Sequence, residues 1–98
     1  MATAADIASE TIREAVRIAV AAGNSLKVLS TEWKPKQVAF MDRPISPETR
    51  SEILSALPGL EHTVTEPTPH NPATETFVDR ANDVAVAFPA QGERRRWY

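Results

Sequence analysis

Cysteine is absent from this 98-residue chain, which excludes a disulfide scaffold and a thiolate-ligated zinc site. Glycine is nearly absent too. The three glycines stand far apart at 23, 59 and 92, so no glycine-rich loop can cradle a phosphate. Aromatic residues are few: Trp33, Phe40, Phe77, Phe88, Trp97 and Tyr98, and a core built from this chain must be mostly aliphatic and alanine. No apolar run approaches the roughly 18 residues of a membrane span. The N-terminal segment carries Asp6, Glu10 and Glu14 in place of the basic-then-apolar pattern of a secretory signal. Composition therefore predicts a soluble, cytoplasmic protein.

What is present suits one small folded domain. The hydrophobic fraction is 42% and the charged fraction 24%, ordinary for a globular chain of this length. The net charge of −2 is unevenly spread. Residues 93–98 hold three arginines and one glutamate, a net +2, which leaves −4 on residues 1–92. The expected organisation is a single domain over 1–92, with a proline-rich loop at 66–72, followed by a basic, aromatic tail at 93–98.

Along the chain, Asp6, Glu10, Arg13, Glu14 and Arg17 draw a polar stripe at helical spacing. Ala8, Ile12, Ala15, Val16, Ala19 and Ala22 lie opposite, with Ile7 and Val20 at the borders. Thr3 is the expected cap and Gly23-Asn24 the stop, giving a helix over 4–22. A hairpin across Gly23-Asn24 is the rival for its second half. Leu26–Ser30 and Gln37–Met41 read as two strands. Ser46-Pro47-Glu48 is a helix start with cap, proline and acid in their favoured places; the helix runs 47–57 and should bury Ile53, Leu54 and Leu57. Leu60–Thr65 alternates as a third strand, and Pro67, Pro69 and Pro72 enforce a loop. Phe77, Val78, Ala81, Val84, Ala85 and Phe88 fall on one side of a helical wheel, which predicts a last helix over 73–87. The end of that segment, Val84–Phe88, also alternates like a strand. The expected fold class is α+β, three helices packed on a small antiparallel sheet, with an all-α arrangement as runner-up.

Motifs that carry chemistry are weak. His62, Glu66 and His70 recur every four residues, but Pro67 and Pro69 forbid the helix that would stack them. In extended chain, four residues span roughly 13 Å, too far for neighbouring ligands of one ion. Surface histidines are the reading, with no metal and no cofactor. Glu61, next to His62, points to the opposite face of a strand and cannot orient it. Asp79 and Asp83 are expected on the wet side of the last helix. No Gly-x-Ser-x-Gly elbow occurs.

Some short stretches bear local likenesses. Gly23-Asn24-Ser25-Leu26 resembles the turn of swapped-hairpin antitoxins, and Asn24-Ser25-Leu26 the modified serine of carrier proteins without its aspartate. Thr49–Ile53 is similar to the second helix of ribbon–helix–helix repressors. Each likeness ends within these few residues and names no family.

The tail Arg94-Arg95-Arg96-Trp97-Tyr98 is the main candidate binding element. Arginines pair with phosphates or carboxylates, and aromatics stack on bases or fill a partner's pocket. The expectation is a small non-enzymatic interaction protein (an inhibitor, antitoxin, phage accessory protein or non-catalytic subunit) that binds a protein partner or a second copy. A nucleic-acid-binding regulator using the tail is the alternative.

Overall fold

Ser9, not Thr3, caps the first helix of the computed structural model, which describes residues 4–30, 36–66, 69 and 73–90. Thr3 lies outside the described residues. The Ser9 hydroxyl accepts from the Ile12 amide at 3.0 Å, satisfying one donor that a helix start leaves open. Helix α1 spans Glu10–Ala21, later than the expected 4–22, and a 3-10 turn at Ala4–Asp6 precedes it. At its end the Asn24 amide donates to the Ala19 carbonyl and the Gly23 amide to Val20, both at 3.0 Å. That is the left-handed helix stop expected of Gly-Asn, with Gly23 at φ +109°.

Strands β1 (Leu26–Ser30) and β2 (Gln37–Met41) pair antiparallel where the sequence places them. Helix α2 covers Pro47–Ala56, its Ser46 cap accepting from the Thr49 amide at 3.1 Å. Strand β3, Glu61–Val64, follows within the stretch that alternates.

The expected helix over 73–87 is instead a hairpin. Strand β4 (Thr74–Asp79) turns through residues 80–83 into β5 (Val84–Pro89). Asp83 sits in the turn at φ 58°, a left-handed conformation that aspartate tolerates better than most residues. Phe77 and Phe88 do face the same side, as the wheel implied, but on neighbouring strands with their rings edge to face. β-Branched Thr74, Thr76, Val78, Val84 and Val86 favour this outcome. Among the described residues the fold is thus α+β with two α-helices and a five-stranded mixed sheet, which corrects both the three-helix antiparallel arrangement and the all-α alternative. Strand order is β1-β2-β5-β4-β3, and β2 with β5 is the parallel pair. The chain leaves β2, passes through α2, β3 and β4, and returns beside β2 as β5.

Both helices pack on one face. Ile12, Ala15, Val16, Ile18 and Ala19 of α1 and Ile53 of α2 meet Ala39, Met41, Phe77, Val84, Val86 and Phe88 of the sheet. Alanine at 15 and 19 lets α1 lie close, as its composition implied. Ala8 and Ala22, expected on this face, are exposed; Ile7 is buried and Val20 remains half-exposed. In α2 the buried positions are Thr49 and Ile53, while Leu54 is 38% exposed. The expected burial of Leu54 is therefore wrong.

Candidate functional site

In an antiparallel sheet with one wet face, strands alternate apolar and polar. Strand β5 does not: residues 84–88, Val-Ala-Val-Ala-Phe, are all buried. Its register places Ala85 beside Val38 and Val78, and Ala87 beside Phe40 and Thr76, on the face away from both helices. Val38, Ala85 and Ala87 form a second apolar cluster there, with Phe40 and Val78 packed against it. Every member of that cluster comes from a strand, so among the described residues no helix covers this face.

Strand β1 completes the patch through an irregularity. Its register with β2 shifts between Leu26 and Val28, the mark of a bulge, where one extra residue reverses which way the following side chains point. Leu26 and Leu29 consequently both pack on the core. Val28, opposite Phe40, is turned outward and is 50% exposed. A groove of about 300 Å³ opens at this end of the sheet, lined by Lys27, Val28, Phe40, Ala87 and Pro89, among others. Formal charge is sparse on this face. Glu61, on the row of Val78, pairs with Arg80, and Lys27 stands at the groove.

The chain matches no known protein family, no curated protein and no solved structure. Function must be read from these faces and clusters.

Two polar clusters occupy the helix-covered side. In the first, the buried Glu75 of β4 accepts from Arg50 of α2 at 2.5 and 2.9 Å and bonds His62 of β3 at 2.7 Å. The Arg50 guanidinium holds the Glu75 carboxyl below the usual carboxylate range, against the opposing effect of burial and with help from His62. The His62 ring stacks on Phe77, centroids 4.7 Å apart. The sequence offers His62 no partner and sets Glu61 aside; the acid bonded to it is Glu75, across the strand ladder from Val64. A histidine and a glutamate two positions apart diagonally on paired strands, and so on one face, was the available signal. Among the described residues no hydroxyl is hydrogen-bonded to His62, so the pair lacks the nucleophile that a base would activate.

In the second cluster, Asp79 accepts from Ser9 at 2.5 Å and from Asn82 at 2.8 Å. These two bonds, Asn82 foremost, hold its carboxyl below the ordinary range. Gln37 lies alongside, accepting from the Ala8 amide at 2.7 Å and donating to the Asp6 carbonyl at 3.0 Å. Asp79 is thus buried at the end of β4 rather than on a wet helix face. Asp83 accepts from the Lys36 amide in the turn. Both aspartates tie the chain together, and neither faces the other as an acid–base dyad would.

Glu66 is exposed, and His70 lies outside the described residues. Among the described residues no group of three histidines or carboxylates could hold a metal ion. The tail residues Arg94, Arg95, Arg96, Trp97 and Tyr98 also lie outside them. No helix among the described residues is long and apolar enough to cross a membrane.

Proposed function

We propose that this chain is a small non-enzymatic interaction protein that binds a protein partner through the helix-free face of its sheet. The observation that carries the reading is the strand pair β2–β5, whose outward side chains are apolar where a solvated sheet face would be polar. Buried parallel pairs normally have both faces covered. Val28, half-exposed at the edge of this apolar face and beside a groove lined by Phe40, Ala87 and Pro89, has the make-up of the rim of a protein-binding site. The partner's contact surface is accordingly apolar and neutral. Roles as inhibitor, antitoxin, phage accessory protein or non-catalytic subunit all fit such binding by surface occlusion. A cytoplasmic setting goes with it, on the strength of composition.

Absence of catalysis belongs to the same reading. The buried carboxylates at 75 and 79 are each engaged in helix-to-sheet attachments, which argues against either one as a proton-transfer group.

The test starts with tagged full-length chain used to isolate a partner, which is then purified and titrated directly. Val28→Glu should weaken that complex more than tenfold while leaving the melting temperature within a few degrees, since Val28 is half in solvent already. An unchanged affinity removes the face from the function. Binding to random-sequence duplex with a steep salt dependence, lost when residues 93–98 are deleted, would instead establish the nucleic-acid alternative, because phosphate contacts release counterions.

A further inference from the structure

We infer that two copies of this chain pair through the outer edge of β3, joining their five-stranded sheets into one around a two-fold axis at Thr63. The inference goes beyond the protein-binding reading above. It uses the opposite edge of the sheet from Val28 and its groove.

Hydrogen-bond parity fixes what this edge presents. The Thr65 amide donates to the Thr74 carbonyl at 2.8 Å, so the Thr65 backbone faces β4. In an antiparallel ladder every second residue does the same. Thr63 and Glu61, opposite Thr76 and Val78, are therefore bonded inward. His62 and Val64 turn their N–H and C=O groups outward, where the strand order ends. Among the described residues no strand lies beyond them. All four residues of β3 are exposed. Val64, at 61%, is the most exposed large apolar side chain among the described residues. A row of open backbone donors and acceptors is a template for another strand.

The other edge of the sheet is protected. Strand β1 shifts register between Leu26 and Val28, with Lys27 at that point, and bulges and lysines both oppose edge pairing. The register of β3 on β4 runs without interruption from 61 to 64, and β3 contains neither lysine nor proline. With one edge open and one guarded, the strand best able to meet β3 is β3 of a second copy. Such a like-to-like contact closes as a two-fold dimer, whereas β3 joined to β1 would propagate into a filament.

An antiparallel pairing centred on Thr63 matches this edge to itself. His62 of each copy lies opposite Val64 of the other, and every outward N–H and C=O group of these two residues finds a partner. Thr63 meets its counterpart on the axis at a non-hydrogen-bonded position, where side chains approach most closely and threonine pairs are favourable. Glu61 falls opposite Thr65, so no like charges stand directly across from one another. The exposed Val64 side chain is covered by His62 of the second copy. A strand-to-strand contact of this length falls below the roughly 1,200 Å² at which stable interfaces begin, so the dimer is a reversible one.

Sedimentation equilibrium on the full chain, from about 10 µM to about 1 mM, spans the dissociation constants of such weak contacts. A monomer–dimer equilibrium is expected. Val64→Pro removes an N–H that bonds nothing within the described chain and should abolish the dimer. Thr63→Lys and Thr63→Glu each set like charges opposite one another on the axis and should raise the dissociation constant about fivefold or more. An equimolar mixture of these two variants should restore association, since lysine then faces glutamate. Val28→Glu, at the opposite edge, should leave the dimer intact. Melting curves identify any variant that fails to fold, and the Thr63 pair gives the answer even without Val64→Pro. A monomer at every concentration overturns the inference. So does a dimer unchanged in both Thr63 variants, or one broken by Val28→Glu, which would move the contact to the helix-free face. Growth beyond the dimer overturns it as well, because β1 would then be pairing. The protein-binding reading is tested separately, by loss of a different protein from Val28→Glu, and fails or survives independently of this dimer.

Discussion

Ser9 and Asp79, 70 positions apart, share a 2.5 Å hydrogen bond that fastens the first turn of α1 to the end of β4. The serine hydroxyl also accepts from the Ile12 amide, so one buried side chain both caps the helix and satisfies a buried carboxylate. Local and long-range structure meet at that oxygen.

Ser9→Ala removes the cap and takes one hydrogen bond from Asp79. Cap loss costs about 0.5–2 kcal/mol, and a weakened buried carboxylate adds to it. A total of about 1–3 kcal/mol is expected in urea unfolding. Ser9→Thr keeps the hydroxyl and should recover most of the loss. A cost under about 0.5 kcal/mol for the alanine variant would mean that the Asp79 contact contributes nothing.

The Arg50–Glu75 pair attaches α2, a helix that buries only Thr49 and Ile53. Arg50→Ala leaves the Glu75 carboxylate with His62 as its remaining side-chain partner. Breaking a buried pair from one side costs about 3–5 kcal/mol; with Arg50 partly exposed and His62 retained, about 1–3 kcal/mol is expected. The pH dependence follows from the same contacts. The folded-state carboxyls of Glu75 and Asp79 titrate below their free values, which are about 4.3 for Glu and 3.9 for Asp. Their stabilisation is complete above those values and disappears as pH falls through the lower folded ones. Urea midpoints should therefore fall steadily below about pH 4, and less so in Glu75→Gln. An acid limb of equal slope in that variant would exclude Glu75 as a contributor.

Phe77 and Leu54 should differ sharply. Phe77 is fully buried, edge-on to Phe88 and stacked on His62. Phe77→Ala should cost about 3–5 kcal/mol, the usual range for emptying an aromatic core site. Leu54→Ala removes a side chain on the open side of α2, and a cost under about 1 kcal/mol is expected. Chemical denaturation of both variants at one pH decides this; similar costs would contradict the observed register of α2.

Some of the molecule was legible in its residues. Ser46-Pro47-Glu48 starts α2 because cap, proline and acid act within one turn, and Gly23-Asn24 stops α1 for reasons equally local. β1 and β2 fall where strand-forming side chains cluster. Residues 74–89 were not decidable that way. Phe77, Val78, Ala81, Val84, Ala85 and Phe88 suit a 3.6-residue period, while Val84–Phe88 also suits a period of two, and each pattern buries apolar groups. Pairing decided it: β5 has β2 on one side and β4 on the other, contacts that no local propensity can register. The candidate site was hidden for the same reason. Ala85, Ala87, Phe40 and Val28 share a surface only after a parallel crossover and a one-residue bulge bring them into one plane. Glu75 likewise finds Arg50 25 residues away and His62 13 away. The sequence alone determines the start of α2, the stop of α1 and the strand tendency of β1 and β2, because those depend on neighbours along the chain. Which face of the sheet is covered, and which carboxylates are neutralised, depends on neighbours in space, and only the tertiary structure supplies those.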